Sequence, residues 1–167
     1  MAETPEIPVG DDAGDQQPPI TINAQYIKDL SFEAPASPSV FGAMRENAPE
    51  IGVNIDVNAT PFDQGLFEVV LDIQANCKIG DQTGFILELS YAGLFTLNVP
   101  EEHLQAVLLI ECPRLLFPFA RNILADVSRD GGFPPLMLGP VDFVAMFQQQ
   151  LQNAEAAGDG AGAASDA

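Results

Sequence analysis

The stretch FEVVLDIQANCKIGDQTGFILELSY, residues 67–91, decides the fold, because apolar and polar residues alternate on both sides of Gly80–Asp81. The apolar positions are Phe67, Val69, Leu71, Ile73, Ala75 and Cys77 in the first run and Phe85, Leu87, Leu89 and Tyr91 in the second. Alternation of this length is typical of half-buried strands, and glycine followed by aspartate is turn chemistry. The stretch therefore predicts an antiparallel hairpin with one buried face.

Two earlier runs show the same period of two. Residues 20–26, ITINAQY, alternate apolar with polar side chains. In the second run Ile51, Val53, Ile55 and Val57 alternate with glycine, asparagine and aspartate. Each run predicts a further strand with one apolar face.

The second half of the chain changes to a helical period. Pro100 and the two glutamates after it are typical of a helix start, and apolar residues recur at helical spacing as far as Val127. Pro113 and Pro118 are expected to kink this long helix or divide it. Residues 133–140, FPPLMLGP, are too rich in proline for a regular element. Asp142 is expected to cap a last helix, so that strands precede helices in an α+β domain with an antiparallel sheet.

Both ends of the chain have the composition of disordered tails. Residues 1–19 hold five acidic residues, no basic residue and four prolines, and residues 155–167 contain only Ala, Gly, Asp, Glu and Ser. One domain is therefore expected over residues 20–154. The start has no apolar run typical of a signal peptide, and no stretch is apolar enough to span a membrane. We therefore expect Cys77 and Cys112 to be free, buried thiols in a reducing compartment, with a disulfide or a reactive thiol as the alternative.

The formal net charge of −18 limits the kinds of partner. Phosphate binding needs a basic surface, so nucleic acid is excluded as a ligand, and an anionic membrane would repel the chain. Residues 20–103 contain twelve acidic and three basic residues, and the acids Asp56, Glu68, Asp72 and Glu88 fall on polar strand faces. The sheet is expected to present a negative face to solvent, although solubilising charge is an alternative explanation for any one of these acids. The nearly neutral helical half is expected to bury apolar surface against another subunit.

The sequence shows no set of residues typical of catalysis. His103 is the only histidine, so a Cys/His zinc site is excluded, and no spaced carboxylate motif or glycine-rich phosphate loop is found. We therefore predict no enzyme activity, no metal and no cofactor. A metal-assisted acidic enzyme is kept as an alternative, to be tested by turnover with and without Mg²⁺.

Four motifs occur in order along residues 20–153: YIKDLSFEAP at 26–35, FEVVL at 67–71, LLFPFAR at 115–121 and FPPLMLGPVDF at 133–143. In this order they resemble the SecB family of bacterial protein-export chaperones. The resemblance implies a four-stranded antiparallel sheet followed by a long helix and a shorter C-terminal helix, assembled as a homotetramer that is a dimer of dimers. It also implies a cytoplasmic, ATP-independent holdase, which binds unfolded preproteins and delivers them to the SecA ATPase. A chaperone of the same fold that serves a toxin–antitoxin pair is the alternative.

The resemblance also implies two sets of site residues. The acidic outer face of the sheet would dock SecA, and the matching positions are Asp29, Glu33, Ile86 and Glu88. A client groove would run between the sheet, the proline-rich segment and the last helix. Its candidate residues are Ile51, Val53, Ile55, Leu136, Leu138, Phe143, Phe147 and Leu151. For each of these, an ordinary core position is the alternative.

Overall fold

A computed structural model describes residues 16–160 of the chain, including the side chains as far as residue 158. Its four strands are β1 (Ile20–Glu33), β2 (Glu50–Asp63), β3 (Leu66–Ile79) and β4 (Gln82–Leu97). Its helices are α1 (Ser39–Ala43), α2 (Glu101–Ala106), α3 (Cys112–Asp130) and α4 (Phe143–Gly160), with a π-helical turn, Val107–Glu111, between α2 and α3. The predicted α+β class is confirmed. Most of the first predicted tail, residues 1–15, and the end of the second, residues 161–167, lie outside the described residues.

The strands form one antiparallel sheet in the order β1-β4-β3-β2. The predicted hairpin is its centre: Ile79 pairs with Gln82 across the turn, and Gly80 has a φ of 60°, which favours glycine. The predicted apolar face of this hairpin is buried except for Phe67, which is half-buried. Helix α3 covers that face with Leu116, Ala120 and Leu124, and all three side chains are fully buried. The hydrophobic core therefore lies between one face of the sheet and α3.

The edge strands are longer than the sequence predicted. Strand β1 continues to Glu33 through two register irregularities, and β2 continues to Asp63. Alternation fails in these extensions, because bulges shift which face a side chain takes. Strand β2 contains Pro61, which an edge strand tolerates because one side of its backbone has no strand partner.

The prolines do not divide the long helical segment. Residues 101–130 are helical throughout, and the irregularity is the π turn that ends directly before Cys112 and Pro113. Proline cannot donate a backbone hydrogen bond, and a wider turn is a common local adjustment to its ring. Pro118 lies inside α3 without ending it.

The C-terminal part of the described chain confirms one prediction and corrects another. The Asp142 carboxylate accepts a hydrogen bond from the Ala145 N–H at 3.0 Å, so this residue caps the start of α4 as predicted. Helix α4, however, continues to Gly160, through residues 155–160 that were predicted to be disordered. Three alanines and a glutamate at 154–157 have high helix propensity, and they extend a helix that has already formed.

Candidate functional site

An apolar cavity of about 140 Å³ opens beside the edge strand β2. Its outer side is residues 133–137, which we call the wall segment, and its floor includes Phe85 and Cys77. The full lining is Pro49, Ile51, Cys77, Phe85, Phe133, Pro134, Pro135, Leu136 and Met137. The lining contains no charged side chain, so the cavity is suited to an apolar group rather than to an ion or a sugar.

A second, more open cleft continues along the same strand between β2 and α4. It has a volume of about 470 Å³ and is lined by Val53, Asn54, Ile55, Asp56, Met146, Gln149, Gln150 and Asn153. Its lining combines apolar side chains with amide groups and the carboxylate of Asp56. Apolar surface can bury a side chain, and amides can bond to a peptide backbone. We call the cavity and the cleft together the edge groove.

The edge groove contains four of the eight candidate client residues. Ile51 and Leu136 line the cavity, and Val53 and Ile55 line the cleft. Ile51 is 42% exposed and Val53 40% exposed, so both side chains are available to a partner.

The other four candidates lie elsewhere. Phe143 is a core residue: it is 2% exposed, and its ring centroid is 6.0 Å from that of Phe117 in α3. Leu138 packs partly buried against the core, whereas Phe147 is half-buried and Leu151 exposed, and none of the three lines either part of the groove. Phe143, the first residue of α4, thus packs toward α3 rather than toward β2.

Sequence reasoning missed several groove residues. The prolines of the wall segment, with Pro49 and Phe133, complete the cavity, and the amides of α4 complete the cleft. The proline-rich run at 133–140 is the sequence signal for the wall, although the resemblance points only to its two leucines. The glutamine run that contains Gln149 and Gln150 is the corresponding signal for the cleft.

Phe133 fixes the start of the wall segment in an aromatic cluster. Its ring centroid lies 5.1 Å from that of Phe85, 5.5 Å from that of Phe41 and 6.4 Å from that of Phe32. Aromatic pairs at these separations stabilise packing beyond the area that they bury. The wall is therefore attached to β1, β4 and α1 at one end.

The candidate docking residues lie together on the face of the sheet opposite to the hydrophobic core. Glu33 pairs with Ile86, and Glu88 occupies the next outward position along β4. Asp29 is paired with Ser90, one further outward position along, and Asp29, Glu33 and Glu88 are all exposed. A shallow cleft of about 390 Å³ on this face is lined by the carboxylates of Asp29, Asp56, Asp72 and Glu88. We call Asp29, Glu33, Ile86 and Glu88 the docking patch.

Not every acid on the outer face adds to its negative potential. The Lys28 ammonium lies 2.7 Å from Glu68 Oε1, and the Tyr26 hydroxyl donates a hydrogen bond to Glu68 Oε2. These two partners hold the pKa of Glu68 below its usual range, the lysine more than the tyrosine. Burial and the same hydrogen bond raise the pKa of Tyr26 to about 12. The ammonium of Lys28 therefore compensates one carboxylate of this face, that of Glu68.

The two cysteines of the chain are buried, and its one histidine is exposed. Cys77 and Cys112 are buried free thiols, and burial raises the pKa of both, that of Cys112 to about 12. His103 is exposed, 3.9 Å from the Glu102 carboxylate. Among the side chains described, residues 16–158, no group of three or more His, Cys, Asp or Glu could hold a metal ion. No helix of that range is long and apolar enough to cross a membrane.

The family model described as "Preprotein translocase subunit SecB" matches residues 13–154. The chain belongs to the SecB family. Its relatives include the protein-export protein SecB of Rhodospirillum rubrum, 51% identical over 85% of this chain and 88% of the relative. The protein-export protein SecB of Xanthobacter autotrophicus is 56% identical over 81% of this chain and 86% of the relative. That of Mesorhizobium japonicum is 46% identical over 94% of this chain and 96% of the relative. The function of the chain is that of a protein-export chaperone.

A solved structure supports the same fold. The SecB-like chaperone of Mycobacterium tuberculosis, determined in complex with a peptide from an antitoxin, has a TM-score of 0.62 to this chain. The match covers 74% of this chain and 91% of the other at 15% sequence identity. At that identity the likeness shows a common fold. The predicted four-stranded sheet with a long helix and a C-terminal helix is thus confirmed.

Proposed function

We propose that this SecB family member is an ATP-independent holdase, which binds non-native preproteins in the edge groove and delivers them to the SecA ATPase from the docking patch. The observation that carries the proposal is the uncharged apolar cavity beside an edge strand that keeps Ile51 and Val53 exposed. Exposed apolar groups beside free strand backbone suit extended, unfolded segments of many sequences. We place the protein in the bacterial cytoplasm, where preproteins await export.

The client would bind through apolar burial in the cavity and through polar contacts in the cleft. Met137 is 65% exposed at the rim of the cavity, and flexible methionine side chains adapt to different partners. Wrapping one long client over several grooves would raise its overall affinity through effective concentration.

The docking patch would recognise a basic segment of SecA. Glu33 lies directly opposite Ile86, and the exposed carboxylates of Glu88 and Asp29 follow along the same strand pair. Charge would direct the approach, and the isoleucine would provide apolar contact. No residue of the docking patch lines either part of the edge groove, so the two sites do not compete for the same side chains.

The assembly would be a homotetramer, organised as a dimer of dimers. Exposed apolar side chains on α3 and β1 support this proposal, because a monomer would leave them in water. On α3 these are Leu115, 41% exposed, and Phe119, 52% exposed, and on β1 they are Ile22, Ile27 and Leu30.

The export role is favoured over the toxin–antitoxin alternative by degree of similarity. Relatives named protein-export protein SecB share about half of their residues with this chain, whereas the chaperone bound to an antitoxin peptide shares 15%. We propose no enzyme activity, because the family consists of chaperones.

The test measures two affinities on the same protein, one for SecA and one for a permanently unfolded polypeptide. Substitutions in the edge groove are expected to weaken client binding alone, and substitutions in the docking patch to weaken SecA binding alone. Equal loss of both affinities from either set of variants would contradict the proposal.

A further inference from the structure

Ser128, near the end of α3, is completely buried and is the one buried polar side chain among residues 16–158. Its hydroxyl donates to the Leu124 carbonyl at 2.8 Å, with the Ala125 carbonyl at 3.1 Å. The same oxygen accepts a hydrogen bond from the Leu136 N–H at 2.8 Å. Donating backwards along its helix is common for serine, but accepting from a segment outside the helix is not required by the helix itself.

The backbone of Ser128 makes a second contact with the wall segment. Its carbonyl accepts a hydrogen bond from the Phe133 N–H at 3.1 Å, after a turn in which Gly132 has a φ of 90°. Two residues of the wall segment, Phe133 and Leu136, are therefore bonded to one residue of α3. Met137 follows directly and is exposed. The hydrogen bond at Leu136 is therefore the last one between the wall segment and Ser128.

We infer that Ser128 is a positioning residue, which holds the wall segment at a fixed distance from β2 and so sets the width of the edge groove and its affinity for clients. This inference rests on the proposed client-binding role of that groove. Without the hydroxyl, the buried Leu136 N–H would have no partner unless the wall moved outward to water. A detached wall would have to be ordered again each time a client bound, which lowers affinity.

The two thiols of the chain distinguish movement of the wall segment from global unfolding, and they do so without any client. Cys77 lies on the floor of the cavity under the wall, whereas Cys112 lies in the core at the opposite end of α3. In the full-length native protein, Ser128→Ala is expected to raise the rate of Cys77 alkylation by N-ethylmaleimide about tenfold, because local opening becomes more frequent. The rate at Cys112 should not change, since that thiol reports global unfolding.

The client measurement uses reduced, cysteine-blocked α-lactalbumin as the unfolded probe. Ser128→Ala is expected to weaken its binding about five- to tenfold, because the groove is no longer preorganised. Ser128→Thr keeps the hydroxyl and should restore most of both effects. Ser90→Ala is the matched control, because it removes a serine hydroxyl that bonds to Asp72 on the opposite face of the sheet. It should change neither Cys77 alkylation nor client affinity.

Three results would overturn the inference. Cys77 alkylation could stay at the wild-type rate, or both thiols could be labelled faster together, which would make Ser128 a residue of general stability. Client affinity could also stay constant while the wall opens. Ile51→Asp separates this last result from failure of the proposed function. If Ile51→Asp weakens client binding, only the role of Ser128 is wrong, and if it does not, the edge groove is not the client site.

Discussion

Glu33 of β1 lies directly opposite Ile86 of β4 on the polar face of the sheet. On the reverse side of the same strand ends, the neighbouring residues Phe32 and Phe85 pack with a ring-centroid distance of 5.6 Å. One end of the β1–β4 pair thus contributes to the docking patch on one face and to the aromatic support of the wall segment on the other. The two proposed sites share a rigid scaffold but no side chain.

Neutralising the docking patch with Asp29→Asn, Glu33→Gln and Glu88→Gln is expected to weaken SecA binding about tenfold or more at low salt, because three exposed charges that attract a basic partner are lost. The difference from wild type should shrink as salt is added, since exposed charges are screened. Titration of SecA at two salt concentrations measures this.

The control for the docking patch changes acids outside it. Glu101→Gln with Glu102→Gln removes two exposed carboxylates at the start of α2 and should leave SecA binding near the wild-type value. Equal weakening by the control pair would mean that net charge, not the patch, attracts the motor.

Ile51→Asp is expected to weaken binding of an unfolded client by roughly 1–2 kcal/mol, because a charge replaces apolar surface in the edge groove. The side chain is 42% exposed, so the fold should tolerate the change. Suppression of client aggregation and the equilibrium affinity both measure the effect. Thr60→Asp, which adds the same charge at an exposed position of β2 outside the edge groove, is the control. Similar loss in both variants would favour non-specific charge repulsion.

The alternation in residues 67–91 was enough to predict the central hairpin and its buried face, because both strands are fully paired. The ends of the edge strands β1 and β2 were harder to predict. The register irregularities in β1 and near Pro61 in β2 depend on strand pairing and twist, which the periodicity of a single strand does not encode. The acidic outer face was predictable from charge. The compensation of Glu68 by Lys28 was not, because it depends on a contact between residues that are 40 positions apart in the sequence. Four of the eight candidate client residues line the edge groove. Its prolines and glutamines were not among the candidates, because they carry no periodic signal.

Glu68→Gln is expected to lower the free energy of unfolding by about 1 kcal/mol near neutral pH, since it removes a partly exposed ion pair and a charged hydrogen bond. Lys28, and then Tyr26, depress the pKa of Glu68 in the folded state. That contribution is complete above the unfolded-state value of about 4.3 and disappears as pH falls through the lower folded-state pKa. Denaturant titrations from about pH 7 to about pH 3, at one protein concentration, should show the two proteins converging in acid. A gap that is constant with pH, or one equal to that of exposed Glu46→Gln, would contradict it.

Phe119→Glu is expected to dissociate the proposed tetramer, because Phe119 is 52% exposed on α3 and stacks on Tyr91 with a ring-centroid distance of 6.4 Å. A charge on apolar surface between subunits has no partner there. Light scattering gives the mass directly. Gln105→Glu adds the same charge at an exposed position of α2 and should keep the wild-type mass. A Phe119→Glu variant with unchanged mass would place the subunit interface elsewhere.

Gly93 of β4 lies where the sheet packs against Leu116 of α3. A Cβ at this position would lie 2.6 Å from Phe95 Cε2 and 2.8 Å from Leu116 Cδ2, both of which belong to fully buried side chains. Gly93→Ala is therefore expected to destabilise the fold by about 1–3 kcal/mol, since a packed core resists added volume. Gly52→Ala is the matched control in β2, where a Cβ would meet nothing within 4 Å, and it should be neutral or slightly stabilising. Denaturant midpoints measure both variants. If they lose the same stability, backbone propensity rather than the contact between β4 and α3 explains the glycine at position 93.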